Sequence, residues 1–246
     1  LQLQVILAYS LFMNIHNQEK TKLVNSVFDR VYKNYDLMND IMSFGIHRLW
    51  KKNLISWMNP QFGNKIIDVA SGTGGLAKII SEKNDNQNNI YCVEPNKGML
   101  DTGKKKLKYF KNIRWYLHSA EKLSFKDNTF DFYTISYGIR NVTDINLCLK
   151  EAFRVLKPGG RFFCLEFSKV ENEILNFIYK NYSRLIPFFG KIVVGSSDPY
   201  EYLITSIDKF YDQYELLELM EKNKFSNVQF RNLSSGISAI HSGWKI

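Results

Sequence analysis

The segment Lys65-Ile66-Ile67-Asp68-Val69-Ala70-Ser71-Gly72-Thr73-Gly74 constrains the fold of this 246-residue chain more than any other. Its short, β-branched apolar run reads as a buried strand. Two glycines then mark a turn, and Leu76-Ala77-Lys78-Ile79-Ile80 resumes as a helix. A strand, a glycine turn and a helix gather backbone N–H groups and a helix N-terminus around a ligand. Alone, the loop does not choose that ligand. Gly72-x-Gly74-x-x-Ala77 also satisfies the dinucleotide-binding pattern.

The rest of the chain repeats the rhythm. Residues 23–58 carry apolar residues at helical spacing, among them Val24, Val27, Phe28, Val31 and Tyr35. After the loop come a strand at Ile90-Tyr91-Cys92-Val93, a basic helix over 97–110 and a strand over Ile113–Leu117. A strand over Phe130–Ile135 follows, then a helix over 144–156 closed by Lys157-Pro158-Gly159-Gly160, and a strand over Arg161–Phe167. Nearly continuous apolar strands alternating with helices predict a parallel, doubly wound sheet covered on both faces. Residues 171–220 read as mainly helical and aromatic. Val228–Leu233 and Ile237–His241 flank Ser234-Ser235-Gly236, so short a turn that the two strands must be antiparallel.

Asp68 stands near the carboxyl end of the first strand, four residues before Gly72. A carboxylate there suits the cationic amino acid end of S-adenosylmethionine (SAM) and would repel a pyrophosphate. Glu94 ends the second strand, where it could accept hydrogen bonds from both hydroxyls of a ribose. Ser119-Ala120-Glu121 follows the third strand and Ser136 ends the fourth. Each has a plain alternative as a loop cap or turn residue, but together these strand ends converge on one crevice. The expected cofactor residues are Asp68, Gly72, Thr73, Gly74, Glu94, Ser119, Ala120 and Ser136.

The formal charge of +9 suits nucleic acid, anionic lipid or an anionic ligand. No basic block interleaved with aromatics accompanies it, and Lys104-Lys105-Lys106-Leu107-Lys108 reads as a solvated helix face, so nucleic acid is not expected. Cys92, Cys148 and Cys164 lack metal-ligand spacing and read as buried thiols. The four histidines do not cluster, so no metal site is expected. Leu1–Met13 is apolar but too short to span a bilayer.

Several segments resemble the quinone-biosynthesis C-methyltransferases of the ubiquinone and menaquinone pathways. They include Val27–Asp29, Tyr35–Asp40, Met42–Lys51, Asp127–Asp131, Gly138–Asp144, Arg154–Gly160, Leu165–Ser168 and Asn232–Ile237, spanning roughly residues 27–246. The resemblance implies a Rossmann-like class I methyltransferase, with a seven-stranded, mostly parallel sheet ending in an antiparallel hairpin. Residues 1–22 would then be an extension or leader remnant and 23–246 one domain. Its parts would be a helical cap (23–62), a SAM-binding core (63–168), a substrate lid (169–220) and the hairpin (221–246).

The resemblance also implies methyl transfer to a ring carbon of a polyprenylated benzoquinol, or alternatively a naphthoquinol. Its cofactor contacts carry over to Thr73, Glu94, Ser119, Ala120 and Ser136. Two positions depart from the family pattern: Gly75 stands where Asp is frequent, and Glu94 replaces a common Asp. Implied partners are the polyprenyl quinol, a peripheral membrane contact, a quinone-synthesis assembly and a homodimer. Implied locations are the matrix face of the mitochondrial inner membrane for a eukaryotic protein and the cytoplasm for a bacterial one.

Three residues are candidates for the chemistry. Arg140 could stabilise a phenolate or orient a water, or it could form a salt bridge closing the Gly138–Asp144 turn. Asp198 could remove a proton, although Asp before Pro is also a common turn start. Tyr200 could contact the ring, as could Tyr202. His47 reads better as packing than as a base. Competing functions are methyl transfer to another small molecule, RNA or protein, and a non-catalytic SAM-fold scaffold, for which Gly75 is the only hint.

Overall fold

A computed structural model describes residues 19–32, 35–43, 45–177, 179, 181–182 and 198–246. Three helices lead the chain: α1 (19–31), α2 (Tyr35–Ser43) and α3 (His47–Met58). The alternating part runs β1 (Lys65–Val69), α4 (Gly75–Lys83), β2 (Asn89–Val93), α5 (Lys97–Lys106), β3 (Ile113–Tyr116), β4 (Phe130–Ser136), α6 (Ile145–Val155) and β5 (Leu156–Phe167). A helical stretch α7 (173–177), then α8 (Asp198–Asp208) and α9 (Gln213–Lys222), precede the hairpin β6 (Ser226–Leu233) and β7 (Ser238–Trp244).

The seven strands form one sheet in the order β3-β2-β1-β4-β5-β7-β6. The first five strands run parallel, and β7 inserts antiparallel between β5 and β6. The order reverses between β1 and β4, which places the switch-point crevice outside their carboxyl ends. Strand side chains alternate between the two faces. Ile66, Ile90, Phe163 and Leu165 therefore pack with α3 and α4 on one side, while Ile67, Val93, Tyr133, Ile135 and Phe162 pack with α6 and α9 on the other. Both faces are covered, as parallel strands require. Cys92, Cys148 and Cys164 are buried free thiols.

Capping follows the sequence. The side chain of Asn96 accepts the N–H of Met99 at the start of α5, and Asp144 accepts that of Leu147 at the start of α6. Asp212 and Glu215 form a reciprocal capping box on α9. The basic helix is shorter than expected, ending at Lys106. The Lys157-Pro158-Gly159-Gly160 segment differs more. It does not close the helix as a loop but starts β5 with an irregularity in the β4–β5 register. The N–H of Gly159 donates to the carbonyl of Lys245 (2.7 Å), and the N–H of Lys245 donates to Gly160 (3.0 Å). A backbone partner from the far end of the chain thus holds it in the sheet.

Candidate cofactor site

The glycine loop turns tightly because its residues sit at positive φ: Gly72 at 58° and Gly74 at 82°. Gly74 also has no room for a side chain, since a Cβ there would lie 2.6 Å from Leu107 and 2.9 Å from Trp115. Two non-glycine residues, Ala70 (φ 52°) and Tyr137 (φ 57°), take the same conformation just past β1 and β4. Strain of roughly 1–3 kcal/mol per such residue accumulates at functional sites. Gly138 completes the close approach, for its Cβ would lie 2.5 Å from that of Ala70.

Asp68 is 1% exposed. Its Oδ1 accepts a hydrogen bond from the Thr134 hydroxyl (2.8 Å), while its Oδ2 is buried without a partner. Burial pushes the carboxyl up to about 6, against the pull of Thr134 and Lys51. Glu94 is also buried, and burial pushes it up to about 7. Its two oxygens accept the N–H groups of Gly72 and Asn96, each at 2.9 Å, so it fastens the glycine loop to the start of α5. Each oxygen keeps a second lone pair that a ribose hydroxyl could use. The Ser136 hydroxyl is buried and unpartnered among the described residues.

Glu94 borders a crevice with about 780 Å³ of free space, its open mouth included. Ala70, Gly72, Glu94, Met99, Ser119 and Ala120 line it together with Tyr137, Asn141 and Val142. Val24 and Phe28 of α1 supply an apolar wall. A second recess opens beside Ala70 and Tyr35 and is lined by Asp68, Thr73, Gly75, Ser136 and Lys51. All eight expected cofactor residues thus fall at the switch point. Gly74 shapes the turn, and the other seven line one of the two spaces.

The expected catalytic residues do not gather there in the same way. Arg140 is 7% exposed, behind the crevice wall, in a 3₁₀ turn after β4. Its Nη1 donates to Glu166 Oε1 (2.5 Å) and to the carbonyl of Tyr137 (3.1 Å), and its Nε donates to Ser206 (3.3 Å). The expected salt bridge to the Gly138–Asp144 turn is therefore replaced by a pair with Glu166. Asp144 caps α6 instead. Asp198 is the first residue of α8, and its side chain lies outside the described residues. Tyr200 is buried in the core and not in the crevice wall. Its hydroxyl has no partner among the described residues. Tyr202, two residues on, donates to Asn141 (3.1 Å) and so reaches the crevice rim.

Sequence reasoning missed Tyr35, Lys51 and Glu166 as site residues. The Tyr35 ring lies against the loop, 3.2 Å from where a Cβ on Gly72 would sit, and burial pushes its phenol up to about 12. Glu166 did carry a signal: a carboxylate inside an apolar strand needs a partner. His47 bonds through Nδ1 with the Ser43 hydroxyl (2.8 Å), and burial drops its pKa to about 4, in line with a packing role. Lys104, Lys105 and Lys106 are exposed on α5, and Lys106 pairs with Asp36. Ile186, Phe188, Phe189, Val193 and Val194, in the segment 169–220 expected to form a lid, lie outside the described residues.

A seven-stranded sheet of this order, with a carboxylate beside the glycine loop and another at the end of β2, defines a class I SAM-dependent methyltransferase. Its fold is shared with a SAM-dependent methyltransferase from Thermotoga maritima (TM-score 0.65, 22% identity), covering 90% of this chain and 99% of that one. Residues 13–245 match the model of the ubiE/COQ5 methyltransferase family, and the chain belongs to that family. It is 49% identical over 242 residues to the ubiquinone/menaquinone biosynthesis C-methyltransferase UbiE of Rickettsia bellii (strain OSU 85-389), covering 96% of this chain and 97% of that protein. It is 45% identical to the UbiE of Brucella suis biovar 1 (strain 1330), covering 96% and 90%. Both relatives are bacterial, which leaves the mitochondrial location without support. Among the described residues no helix is long and apolar enough to cross a membrane.

Proposed function

We propose that this methyltransferase transfers the methyl group of SAM to a ring carbon of a polyprenylated benzoquinol in ubiquinone biosynthesis. The observation that carries the reading is family membership over nearly the whole chain, joined to a crevice and an adjoining recess whose unsatisfied groups suit SAM. Asp68 Oδ2 and the Ser136 hydroxyl would take the amino acid end, Glu94 the ribose, and Met99, Ser119 and Ala120 the adenine side. SAM, when bound, supplies an electrophilic sulfonium methyl. The apolar wall of Val24 and Phe28 keeps water from the ring, and positioning provides much of the rate.

An electron-rich quinol attacks best as its phenolate. Arg140 cannot take the proton, because a guanidinium stays charged. The two N–H groups on its Nη2 carry no hydrogen bond among the described residues, and they would stabilise negative charge on a ring oxygen beside Asn141. Proton removal falls to a bound water or to Asp198. The partners proposed are the quinol and, in a bacterial cytoplasm, the membrane surface that holds its tail. Binding to anionic vesicles that weakens as salt rises would support the surface contact, and salt-independent binding would remove it.

The deciding assay supplies radiolabelled SAM with a short-chain 2-methoxy-6-prenyl-benzoquinol, a demethylated naphthoquinol and bulk RNA in separate reactions. Label on a ring carbon of the benzoquinol is the expected result. Faster labelling of the naphthoquinol would move the acceptor to the menaquinone side, and labelling of RNA alone would overturn the quinol reading.

A further inference from the structure

The recess beside Asp68 contains a cation that no carboxylate among the described residues pairs with. Lys51 reaches it from α3, one face of which is fixed in the core by Trp50, Leu54 and Ile55. Its ammonium makes no hydrogen bond or ion pair among the described residues. Yet it sits where a Cβ on Gly75 would be only 3.2 Å away. Neither nearby carboxylate is bonded to it among the described residues. Asp36 pairs with Lys106 and accepts the Thr73 hydroxyl (3.0 Å), and Asp68 turns one oxygen to Thr134. Burial lowers the lysine's pKa, and Asp68 and Asp36 oppose that shift by attraction.

The recess therefore presents two unlike ends. One holds buried, unpartnered acceptors, Asp68 Oδ2 and the Ser136 hydroxyl. The other holds the free ammonium at the first residue of α4, whose initial N–H groups and dipole add positive potential. A neutral or singly charged group would leave one end unsatisfied. A zwitterionic α-amino acid group would satisfy both. Tyr35 and Ala70 border this recess and the larger crevice alike, so one ligand can occupy the two spaces.

We propose that Lys51 holds the α-carboxylate of SAM, forming with Asp68 a two-point clamp on the methionine end and making α3 part of the cofactor site. This rests on the SAM reading above. The clamp needs no covalent step. Gly75 leaves the ammonium unpaired, so the ligand itself supplies the missing anion.

Calorimetry on the full chain tests the clamp with four ligands: S-adenosylhomocysteine, 5′-methylthioadenosine, which lacks the amino acid end, decarboxylated SAM and SAM. We expect Lys51→Met to weaken S-adenosylhomocysteine at least tenfold while methylthioadenosine changes less than twofold, and Lys51→Arg to recover most of the loss. The wild type should prefer SAM over its decarboxylated form about tenfold, and Lys51→Met should lose that preference. Equal weakening of S-adenosylhomocysteine and methylthioadenosine would assign Lys51 to structure alone and overturn the clamp. Unchanged S-adenosylhomocysteine binding in Lys51→Met would overturn it as well. If Lys51→Met fails to fold, a wild type indifferent to the carboxylate is enough to overturn it. A wild type that binds neither nucleoside would instead overturn the SAM reading itself.

Discussion

Arg140 Nη1 and Glu166 Oε1 stand 2.5 Å apart with side chains 4% and 2% exposed, joining the turn after β4 to the end of β5. Glu166 Oε1 also accepts its neighbour's N–H from Phe167 (2.9 Å), so the pair is fixed at both ends. Removing one member leaves the other charged in the core, which costs about 3–5 kcal/mol, whereas an apolar replacement of both is tolerated far better. Glu166→Ala should therefore lower Tm by roughly 10 °C or more in a domain of this size. Arg140→Met/Glu166→Met should recover much of that loss.

The same double variant separates folding from chemistry. It should bind S-adenosylhomocysteine like the wild type and lose most quinol turnover, because the crevice keeps its cofactor groups but lacks the guanidinium beside Asn141. Full turnover with normal S-adenosylhomocysteine affinity would sink the role given to Arg140. Melting curves, calorimetry and the labelled-methyl assay on one preparation decide it.

Glu94, proposed to hold the ribose, also fastens the loop, since its oxygens accept the N–H groups of Gly72 and Asn96. Glu94→Ala frees two buried N–H donors, at about 1–3 kcal/mol each. Both Tm and S-adenosylhomocysteine affinity should fall, the affinity by about a hundredfold. Glu94→Gln has one acceptor oxygen and should fall between the two. A Glu94→Ala protein that keeps its affinity would show that the carboxylate serves only the loop.

Much of this site was legible before the fold was known, and the illegible part has a physical pattern. β1, β2 and β4 announce themselves as short apolar runs, and Asp68, Glu94 and Ser136 stand out as polar residues at their ends. Such residues are read locally. Lys51 could not be: it lies on an amphipathic helix beside Lys52, and only packing against the glycine loop separates it from a surface lysine. Tyr35 likewise depends on where α2 lands. The Pro158-Gly159-Gly160 run misled for a related reason, because its backbone partner is Lys245, at the far end of the chain. Of the two tyrosines offered for the ring, Tyr202 reaches Asn141, while Tyr200, two residues earlier on α8, is buried in the core.

The buried carboxylates make stability depend on pH in an unusual direction. Asp68 at about 6 and Glu94 at about 7 sit above their unfolded values near 4. Between about pH 4 and 7 the unliganded fold holds protons that the unfolded chain has released, so their contribution to stability falls as pH rises through that window. Asp68→Asn, which keeps the shape without the titration, should show a flatter dependence of Tm on pH than the wild type. Affinity for SAM should run the other way and strengthen from pH 5.5 to 8, as both carboxylates ionise to meet it. Parallel pH profiles for the wild type and Asp68→Asn would dismiss Asp68 as the titrating group.

Gly138 lets the turn after β4 pass Ala70 at van der Waals contact. Gly138→Ala would put two methyl carbons 2.5 Å apart, and one backbone segment must yield. Overpacking of this kind costs about 1–3 kcal/mol. Ala70 lines both spaces of the site, so the shift should weaken S-adenosylhomocysteine as well as lower Tm. A loss of Tm alone would mean that the turn yields outward, away from the crevice.

Gly75 begins α4, and a Cβ there would lie 3.2 Å from the Lys51 ammonium, the flexible end of its side chain. Gly75→Asp adds a carboxylate at a helix N-terminus, worth about 0.3–1 kcal/mol through the dipole. It also removes the flexibility of glycine from the unfolded chain, worth about 0.4–1 kcal/mol more. The new carboxylate would meet a half-buried cation that has no ion pair among the described residues. Tm should therefore rise by a few degrees, an uncommon outcome for adding a charge beside a binding site. The gain should shrink in a Lys51→Met background, because only the dipole and chain-entropy parts remain. Equal gains in the two backgrounds would show that the introduced carboxylate does not reach the lysine.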